Sequence, residues 1–508
     1  MNLAQNFWHR LQQNDSRVVL ERLEPDGQIT WHQTRGALLA DASRWMAALQ
    51  TAGIGPGDRV AVSLGKSVGL VTAHLAVLGV GAGVVPLNPA LTARETTAVL
   101  ARAEVRLAIT HPDTITRAPE IRAAVQGPWW ITGQAHNLPS QTVLLADVLA
   151  MSRPGPEPVA RNDDDLALLL FTSGTTGTPK GVGLTHRNLR SNLQALLTET
   201  WQMHEADRLL HVLPPHHLHG LALGLYGTLY VGNAAVLLER FDPAVVLRAL
   251  ESQHISVFMG VLTMYHRMIE VEGDFSLGAM RLFTCGSAPL SPETFRRFQE
   301  RFGFTPVERY GLTETAINTS NPLHGVQKPG SVGPPLAGVE VGIFDPQTQQ
   351  RLAEGETGEI WVGGPNVFAG YWHNPEATAA AFHDGWFRTG DLGAFSADGY
   401  LSILGRIKEL IIVGGTNVTP GEVEVVLEAE PGVAECAVAG MPDPDLGERI
   451  TAFIVPRPGE DTPSLEQRLR SRAERDLAPY KRPRLYCFLD AIPRNVMGKV
   501  ERSKLRES

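Results

Sequence analysis

The chain has 508 residues, 43% hydrophobic and 19% charged, with a formal net charge of −9. That acidic balance excludes a nucleic-acid footprint spread over the surface, and the length calls for a large domain plus a smaller one. Cys285, Cys436 and Cys487 lie far apart without CxxC spacing, which argues against structural zinc or a disulfide framework and fits a reducing compartment. The N-terminal MNLAQNFWHRLQQND lacks a signal-peptide apolar core and the Arg/Ser bias of a transit sequence. The expectation is a cytoplasmic protein.

In chain order, Gly36 to Ala52 is amphipathic, and GIGPGDRVAVS reads as a turn into a strand. The long apolar stretch Val68 to Pro86 holds Thr72, His74 and several glycines, so it reads as a buried helix to Leu78 feeding a short strand at Gly83 to Val85 rather than as a membrane span. Arg94 to Ala103 is helical, and Pro154 to Asp165 is an exposed connector. After a buried strand at Leu166 to Leu170, the leucines 189, 193, 196 and 197 recur at helical spacing. Further strands are expected at Arg208 to Leu213, Ala234 to Leu238, Ser256 to Met259 and Met280 to Thr284. Such alternation predicts an α/β sandwich with parallel strands. Short strands at Glu340 to Phe344, Glu359 to Val362 and Tyr400 to Leu404, between Gly/Asp/Pro turns, predict a β-rich subdomain. A compact α/β unit follows, its first helix announced by Thr419, Pro420 and Glu422 as a capping box. The domains are expected at 1–406 and 407–508.

The most informative stretch is Phe171 to Gly181, FTSGTTGTPKG, read as a loop slung between the strand and the helix. Glycines let successive backbone N–H groups converge on one point, while Ser173, Thr175, Thr176 and Lys180 add donors and charge. Those are the requirements of a polyphosphate. No Gly-Lys-Ser/Thr run opens the following helix, so it is not a Walker A loop. A flexible Gly/Ser/Thr surface loop is the bland alternative.

This pattern closely resembles the phosphate loop of the adenylate-forming superfamily, which comprises acyl-CoA synthetases, luciferases and peptide-synthetase adenylation domains. Further motifs extend the resemblance over essentially the whole chain: GSAP at Gly286 to Pro289, ERYGLTE at Glu308 to Glu314, RTGD at Arg388 to Asp391, GRIKELIIVGG at Gly405 to Gly415, and PRNVMGKV around Lys499. The resemblance implies an ATP- and Mg²⁺-dependent, AMP-forming ligation of a carboxylate to coenzyme A, on a large N-terminal domain with a hinged C-terminal one. ATP contacts are implied at Thr172, Ser173, Gly174, Thr175, Thr176, Gly177, Lys180, Gly286, Ser287, Ala288, Glu308, Tyr310, Gly311, Thr313, Asp391 and Arg406. The metal is implied at Thr175 and Glu314, a base-stacking face at Tyr310, ribose contacts at Asp391, and a hinge at Lys408. Lys499 is implied to neutralise charge between the carboxylate and the α-phosphate. CoA contacts are implied at Gly414, Gly415 and Lys481. The partners are small molecules, with no nucleic acid and no membrane, and the expected state is a monomer or homodimer.

Substrate choice falls to PPHHLHG (214–220), residues 256–265 and Arg309. Arg309 either pairs with Glu308 or another acid, or meets the second carboxylate of a short substrate in bidentate geometry. LPPHHLHGLALG, TMYHRM and ERYGLTETAINTSNP resemble malonyl/methylmalonyl-CoA synthetases, which implies Arg309, His217, His219 and Met259 at the acyl site. The alternatives are a medium-chain or aryl monocarboxylate ligase, a stand-alone adenylation enzyme loading a carrier protein, and a nucleotide-binding regulator without catalysis. An amino acid substrate is disfavoured because residues 207–221 contain only Asp207 as a partner for an ammonium group.

Overall fold

The computed structural model describes all residues except 134–139, 154, 156, 173–178, 287–289, 291, 496–497 and 508, and not the side chains of 117 and 292. Two large sheets form its centre. One runs Thr142–Leu144, Trp129–Ile131, Leu107–Thr110, Arg59–Ser63, Gly83–Pro86, Leu166–Thr172, Lys180–Thr185. It is parallel except at its last pair, which is antiparallel. The other runs Ala316–Ser320, Val307–Leu312, Leu282–Cys285, Val257–Gly260, Arg208–His211, Ala234–Leu238, Val18–Leu23, Ile29–Thr34. It is antiparallel only at its two ends. The expected parallel sandwich is therefore present, and its antiparallel edges are where short turns replace helical crossovers.

The helix Val68–Gly79 packs in the core shared by the sheets, with every residue from Leu70 to Gly79 buried. Buried all round, it has no polar face, which is why its sequence reads as one apolar run. Ser67 caps it by accepting from the Leu70 N–H at 3.2 Å. His74 Nδ1 lies 2.8 Å from the Tyr226 hydroxyl, and burial lowers the imidazole pKa to about 3, so the core holds it neutral.

The β-rich unit orders Glu340–Phe344, Gly358–Gly363, Trp386–Phe395 and Phe382–His383, with Leu401–Arg406 also paired to Trp386–Phe395. The smaller C-terminal domain carries its own sheet: Thr416–Val418, Ile411–Val413, Gly447–Pro456 and Val433–Asp443, with Leu485–Phe488 also on Gly447–Pro456. Its core is separate, closed by Val423 and Leu427 from the helix Pro420–Glu428 and by Leu465, Leu469 and Ala473 from Thr462–Asp476. The expected capping box forms, with the Thr419 N–H donating to Glu422 Oε1 at 2.9 Å. A cavity of about 500 Å³ lies between the two domains, walled by Val261, Thr263 and Met264 on one side and Glu435, Arg494 and Gly498 on the other. Among the described residues no helix is long and apolar enough to cross a membrane.

Candidate active site

The glycine–threonine loop does not run from a strand into a helix. Lys180–Thr185 forms a second strand antiparallel to Leu166–Thr172, and the helix His186–Leu193 starts only after it, capped by Thr185. Alternating Val182 and Leu184, both buried, carry that strand's signal, which the stronger leucine spacing beyond it overrides. Ser173, Gly174, Thr175, Thr176 and Gly177 lie outside the described residues, as do Ser287 and Ala288. The hairpin's stem is described: Thr172 and Lys180 are register partners. Lys180 Nζ sits 4.8 Å from the centroid of the Tyr371 ring, and the Tyr371 hydroxyl donates to Glu314 Oε1 at 3.0 Å. Glu314 and Thr313 occupy the turn between Val307–Leu312 and Ala316–Ser320. Burial raises the Glu314 pKa, and hydrogen bonds from its own backbone and from Tyr371 oppose that rise.

A second cluster joins three separate motifs. The Tyr310 hydroxyl donates to Asp391 Oδ2 at 2.7 Å, and Arg406 Nε pairs with Asp391 Oδ1 at 2.8 Å. RTGD is not the expected turn. It lies inside the strand Trp386–Phe395, where the register against Gly358–Gly363 slips between Glu359 and Trp361, and Glu359 fills the irregularity. Its carboxylate accepts from Arg388 at 3.0 Å and from the Gly390 N–H at 3.2 Å. Asp391 thus sits on a sheet that fixes it, and Tyr310 and Arg406 orient both its oxygens. Tyr310→Phe removes a donor to a charged acceptor, an interaction worth about 1.5–3 kcal/mol. Steady-state kinetics on Tyr310→Phe are therefore expected to show the KM for ATP rising roughly tenfold or more, with the melting temperature also lowered because the same buried hydrogen bond is lost from the free enzyme.

Arg309 does not pair with Glu308. The Glu308 carboxylate accepts from the Leu290 N–H at 3.1 Å and the Gly330 N–H at 3.3 Å, and burial raises its pKa to about 7. Alternation along the strand separates it from Arg309, whose side chain is 6% exposed. Nε and Nη2 of Arg309 are buried without a hydrogen-bond partner among the described residues. Burial lowers this guanidinium to about 10. Gly286 makes room for it: a Cβ there would lie 2.6 Å from the guanidinium carbon. Gly311 is required by the hairpin, because a Cβ would lie 1.9 Å from the Ala316 carbonyl oxygen.

His219 opens a π-helix, His219–Tyr226, a geometry frequent at functional sites and not foreseen from PPHHLHG. Among the described residues both its ring nitrogens are buried without partners, and burial, with Arg309 as the next cause, drives its pKa well below 6.5. His216 and His217 are half-buried with ring centroids 4.5 Å apart, and burial lowers both, His216 to about 3. Met259 is buried on the strand Val257–Gly260, whose Met259 pairs with Thr284 two residues before Gly286. Lys66, unforeseen from the sequence, donates to the Val212 carbonyl at 2.7 Å, and burial lowers its pKa to about 8.

Lys499 stands on a turn in which its N–H donates to Asn495 Oδ1 at 3.0 Å and Asn495 N–H donates to its carbonyl at 2.9 Å. Arg494 ties that turn down, donating to the Gly498 carbonyl at 2.9 Å and pairing with Glu435 at 2.9 Å. A Cβ on Gly498 would lie 3.3 Å from Thr263 Oγ1, so the turn rests on the N-terminal domain. Burial lowers the Lys499 pKa, Arg406 lowers it further, and Glu409 and Asp391 oppose the shift. Lys499 is therefore in the field of the Asp391–Arg406 pair. Lys408 lies in the single turn Ile407–Glu409 between the domains. Gly414 and Gly415, at φ 56° and 84°, form the two-residue turn of the hairpin Ile411–Val418, and Lys481 pairs with Glu422.

The described features are thus a hairpin stem bearing a lysine, a fixed carboxylate, an oriented Asp–Arg pair and a lysine contributed by the C-terminal unit. The chain belongs to the AMP-binding enzyme family: that family's model matches residues 7–372, and the AMP-binding enzyme C-terminal domain matches residues 422–499. It is similar to a long-chain-fatty-acid–CoA ligase of Bacillus subtilis, 33% identical over 94% of this chain and 90% of that one. It is also similar to a malonate–CoA ligase of Arabidopsis thaliana, 38% identical over 68% of this chain and 62% of that one. Among solved structures, ATP-bound MatB from Rhodopseudomonas palustris superposes with a TM-score of 0.90 at 38% identity, over 100% of this chain and 99% of that one; its apo form gives 0.83. The protein is an ATP-dependent acyl-CoA ligase of the adenylate-forming superfamily.

Proposed function

We propose that the enzyme joins a short dicarboxylate, malonate or methylmalonate, to coenzyme A through an acyl-adenylate. The observation that carries this reading is Arg309, buried beside His219 with two guanidinium nitrogens unpartnered. An unpaired buried cation is costly, so the fold keeps it for a partner that arrives with the substrate. A second carboxylate supplies that partner in bidentate geometry, and a long apolar chain does not.

In this reading the glycine–threonine hairpin cradles the triphosphate, Asp391 receives the ribose hydroxyls, and Tyr310 flanks the base. The substrate's near carboxylate displaces pyrophosphate from the α-phosphorus, chemistry that rests on positioning and charge neutralisation more than on proton transfer. Lys499 offsets the negative charge that develops there. The donor set suits Mg²⁺: a single carboxylate, Glu314, fixed by Tyr371 beside the phosphate-loop stem, matches an ion that takes one or two carboxylates and completes its shell with phosphate and water. When bound, Mg²⁺ neutralises and orients phosphate oxygens. Movement of the C-terminal domain (407–508) about Lys408 then exchanges Lys499 for a thiol path to CoA.

AMP release is measured with ATP, Mg²⁺, CoA and a panel of acids, with product identification. Malonate or methylmalonate is expected to exceed butyrate by more than about a hundredfold in kcat/KM and octanoate by more. The relative that carries a long-chain fatty-acid name makes a monocarboxylate the second reading, and an octanoate preference would establish it.

A further inference from the structure

The loop from Pro365 to His373, which carries the tyrosine that touches Glu314, is stitched to both halves of the phosphate apparatus. Asn188 Nδ2 donates to the carbonyls of Pro365 and Val367 at 2.8 and 2.9 Å, and Asn366 Nδ2 to that of Thr315 at 2.7 Å. The Phe368 N–H donates to the Glu314 carbonyl at 2.9 Å, and the Trp372 N–H to the Gly181 carbonyl at 2.8 Å. Tyr371 lies where these ties converge. Its backbone bridges Val182, and its own N–H donates to Thr378 Oγ1 at 2.9 Å, so the residue is fixed before its side chain is considered.

The side chain then reaches two functional groups at once. Its ring lies 4.8 Å below Lys180 Nζ, and its hydroxyl donates to Glu314 Oε1 at 3.0 Å. A tyrosine that merely filled the loop would turn into the core as its neighbour Phe368 does, 2% exposed against Phe382 and Phe387. Tyr371 is only half-buried, and its phenol ends on the carboxylate of the Thr313–Thr315 turn.

We infer that Tyr371 is a positioning residue that sets the rotamer of Glu314 toward the metal through its hydroxyl and seats the Lys180 ammonium toward the triphosphate through its ring face, coupling the two. The physical reasons are separable. The phenol donor holds one carboxylate oxygen, which leaves the ligand orientation of the other defined; outer partners of this kind typically carry tenfold to a hundredfold in metal affinity. The ring attracts the ammonium by its negative face, and a half-buried contact of this type is worth about 1 kcal/mol. This inference rests on reading Glu314 as the metal carboxylate, and does not depend on which acid is ligated.

The test is calorimetric binding of a non-hydrolysable ATP analogue, with and without Mg²⁺, to the full-length enzyme. Tyr371→Phe keeps the ring and removes the hydroxyl. Its Mg²⁺-free affinity is expected to match wild type, while the gain in affinity on adding Mg²⁺ shrinks by about tenfold or more. Tyr371→Leu is expected to lose that gain and also to weaken the Mg²⁺-free affinity several-fold, since the Lys180 contact goes too. Both variants are melted alongside, and if Tyr371→Leu does not fold, Tyr371→Phe alone decides. A full Mg²⁺-dependent gain in Tyr371→Phe overturns the inference. Glu314→Gln separates the layers: if it loses the gain while Tyr371→Phe keeps it, only the positioning role falls, and if it keeps the gain, the metal reading of Glu314 falls as well.

Discussion

Replacing Arg309 is expected to remove diacid use by about 3–5 kcal/mol, a fall in kcat/KM for malonate of roughly two hundred- to several thousand-fold. The size follows from where the guanidinium sits. It is buried, its Nε and Nη2 have no hydrogen-bond partner among the described residues, and burial has lowered its pKa to about 10, so two of its nitrogens stand ready to pair. Binding a substrate carboxylate there joins two desolvated charges, and removing one partner leaves the other stranded. The same reasoning fixes a second observable. A structural ion pair destabilises the fold when cut, whereas an unpaired buried cation is a cost to it. Arg309→Met, which keeps most of the volume, is therefore expected to melt at or above the wild-type temperature, to lose malonate, and to retain butyrate within a few-fold. A drop in melting temperature with malonate use intact would mean that Arg309 serves the fold, and the diacid reading would fail with it.

How much of this was legible from the residues depends on whether local pattern or tertiary pairing decided the outcome. The buried helix Val68–Gly79 and the strand at Ala234–Leu238 follow directly from apolar runs bounded by turns, because burial and period are local properties. The strand Lys180–Thr185 was not foreseen, since glycines 181 and 183 dilute its pattern. What fixes it is antiparallel pairing with Leu166–Thr172 across residues 173–179. Asp391 shows the same limit. Thr-Gly-Asp has the composition of a turn, but the pairing of Trp386–Phe395 on both sides overrides it, and Glu359, far off in sequence, absorbs the irregularity. Among site residues, Arg309, Asp391 and Lys499 were each named from motifs, yet nothing in a motif says whether an arginine meets its neighbouring glutamate or turns to the opposite face of the strand. The strand's alternation decides that, with Glu308 on backbone amides and Arg309 on the other face. Tyr371 escaped notice because a lone tyrosine in a loop has no sequence signal; its role exists only through Glu314 and Lys180, 57 residues away in one case.

Lys499→Ala is expected to slow adenylation by about 3 kcal/mol or more, a hundredfold or greater loss in acid-dependent pyrophosphate exchange. The turn that carries the lysine is built to hold it still: Arg494 grips the Gly498 carbonyl while paired to Glu435, and Asn495 hydrogen-bonds to the Lys499 backbone on both sides. A charge held in place costs no reorganisation when the transition state forms, which is why its loss falls on kcat more than on the KM for ATP. Thioester formation from supplied acyl-adenylate is expected to survive, because the carboxylate charge is by then consumed in the mixed anhydride and the second step proceeds with the C-terminal domain turned and Lys499 withdrawn. The pH dependence carries a sign that tests the same idea. Burial lowers the Lys499 pKa and Arg406 lowers it further, against Glu409 and Asp391, so the charged and active form is lost at a lower pH than an exposed lysine's. Adenylation is expected to decline as pH rises through that lowered value. Lys499→Arg, whose guanidinium stays charged, is expected to flatten the alkaline limb while remaining slower at its optimum. An alanine variant that exchanged pyrophosphate within tenfold of wild type, with the alkaline limb unchanged, would place the charge that serves the α-phosphate on some other residue.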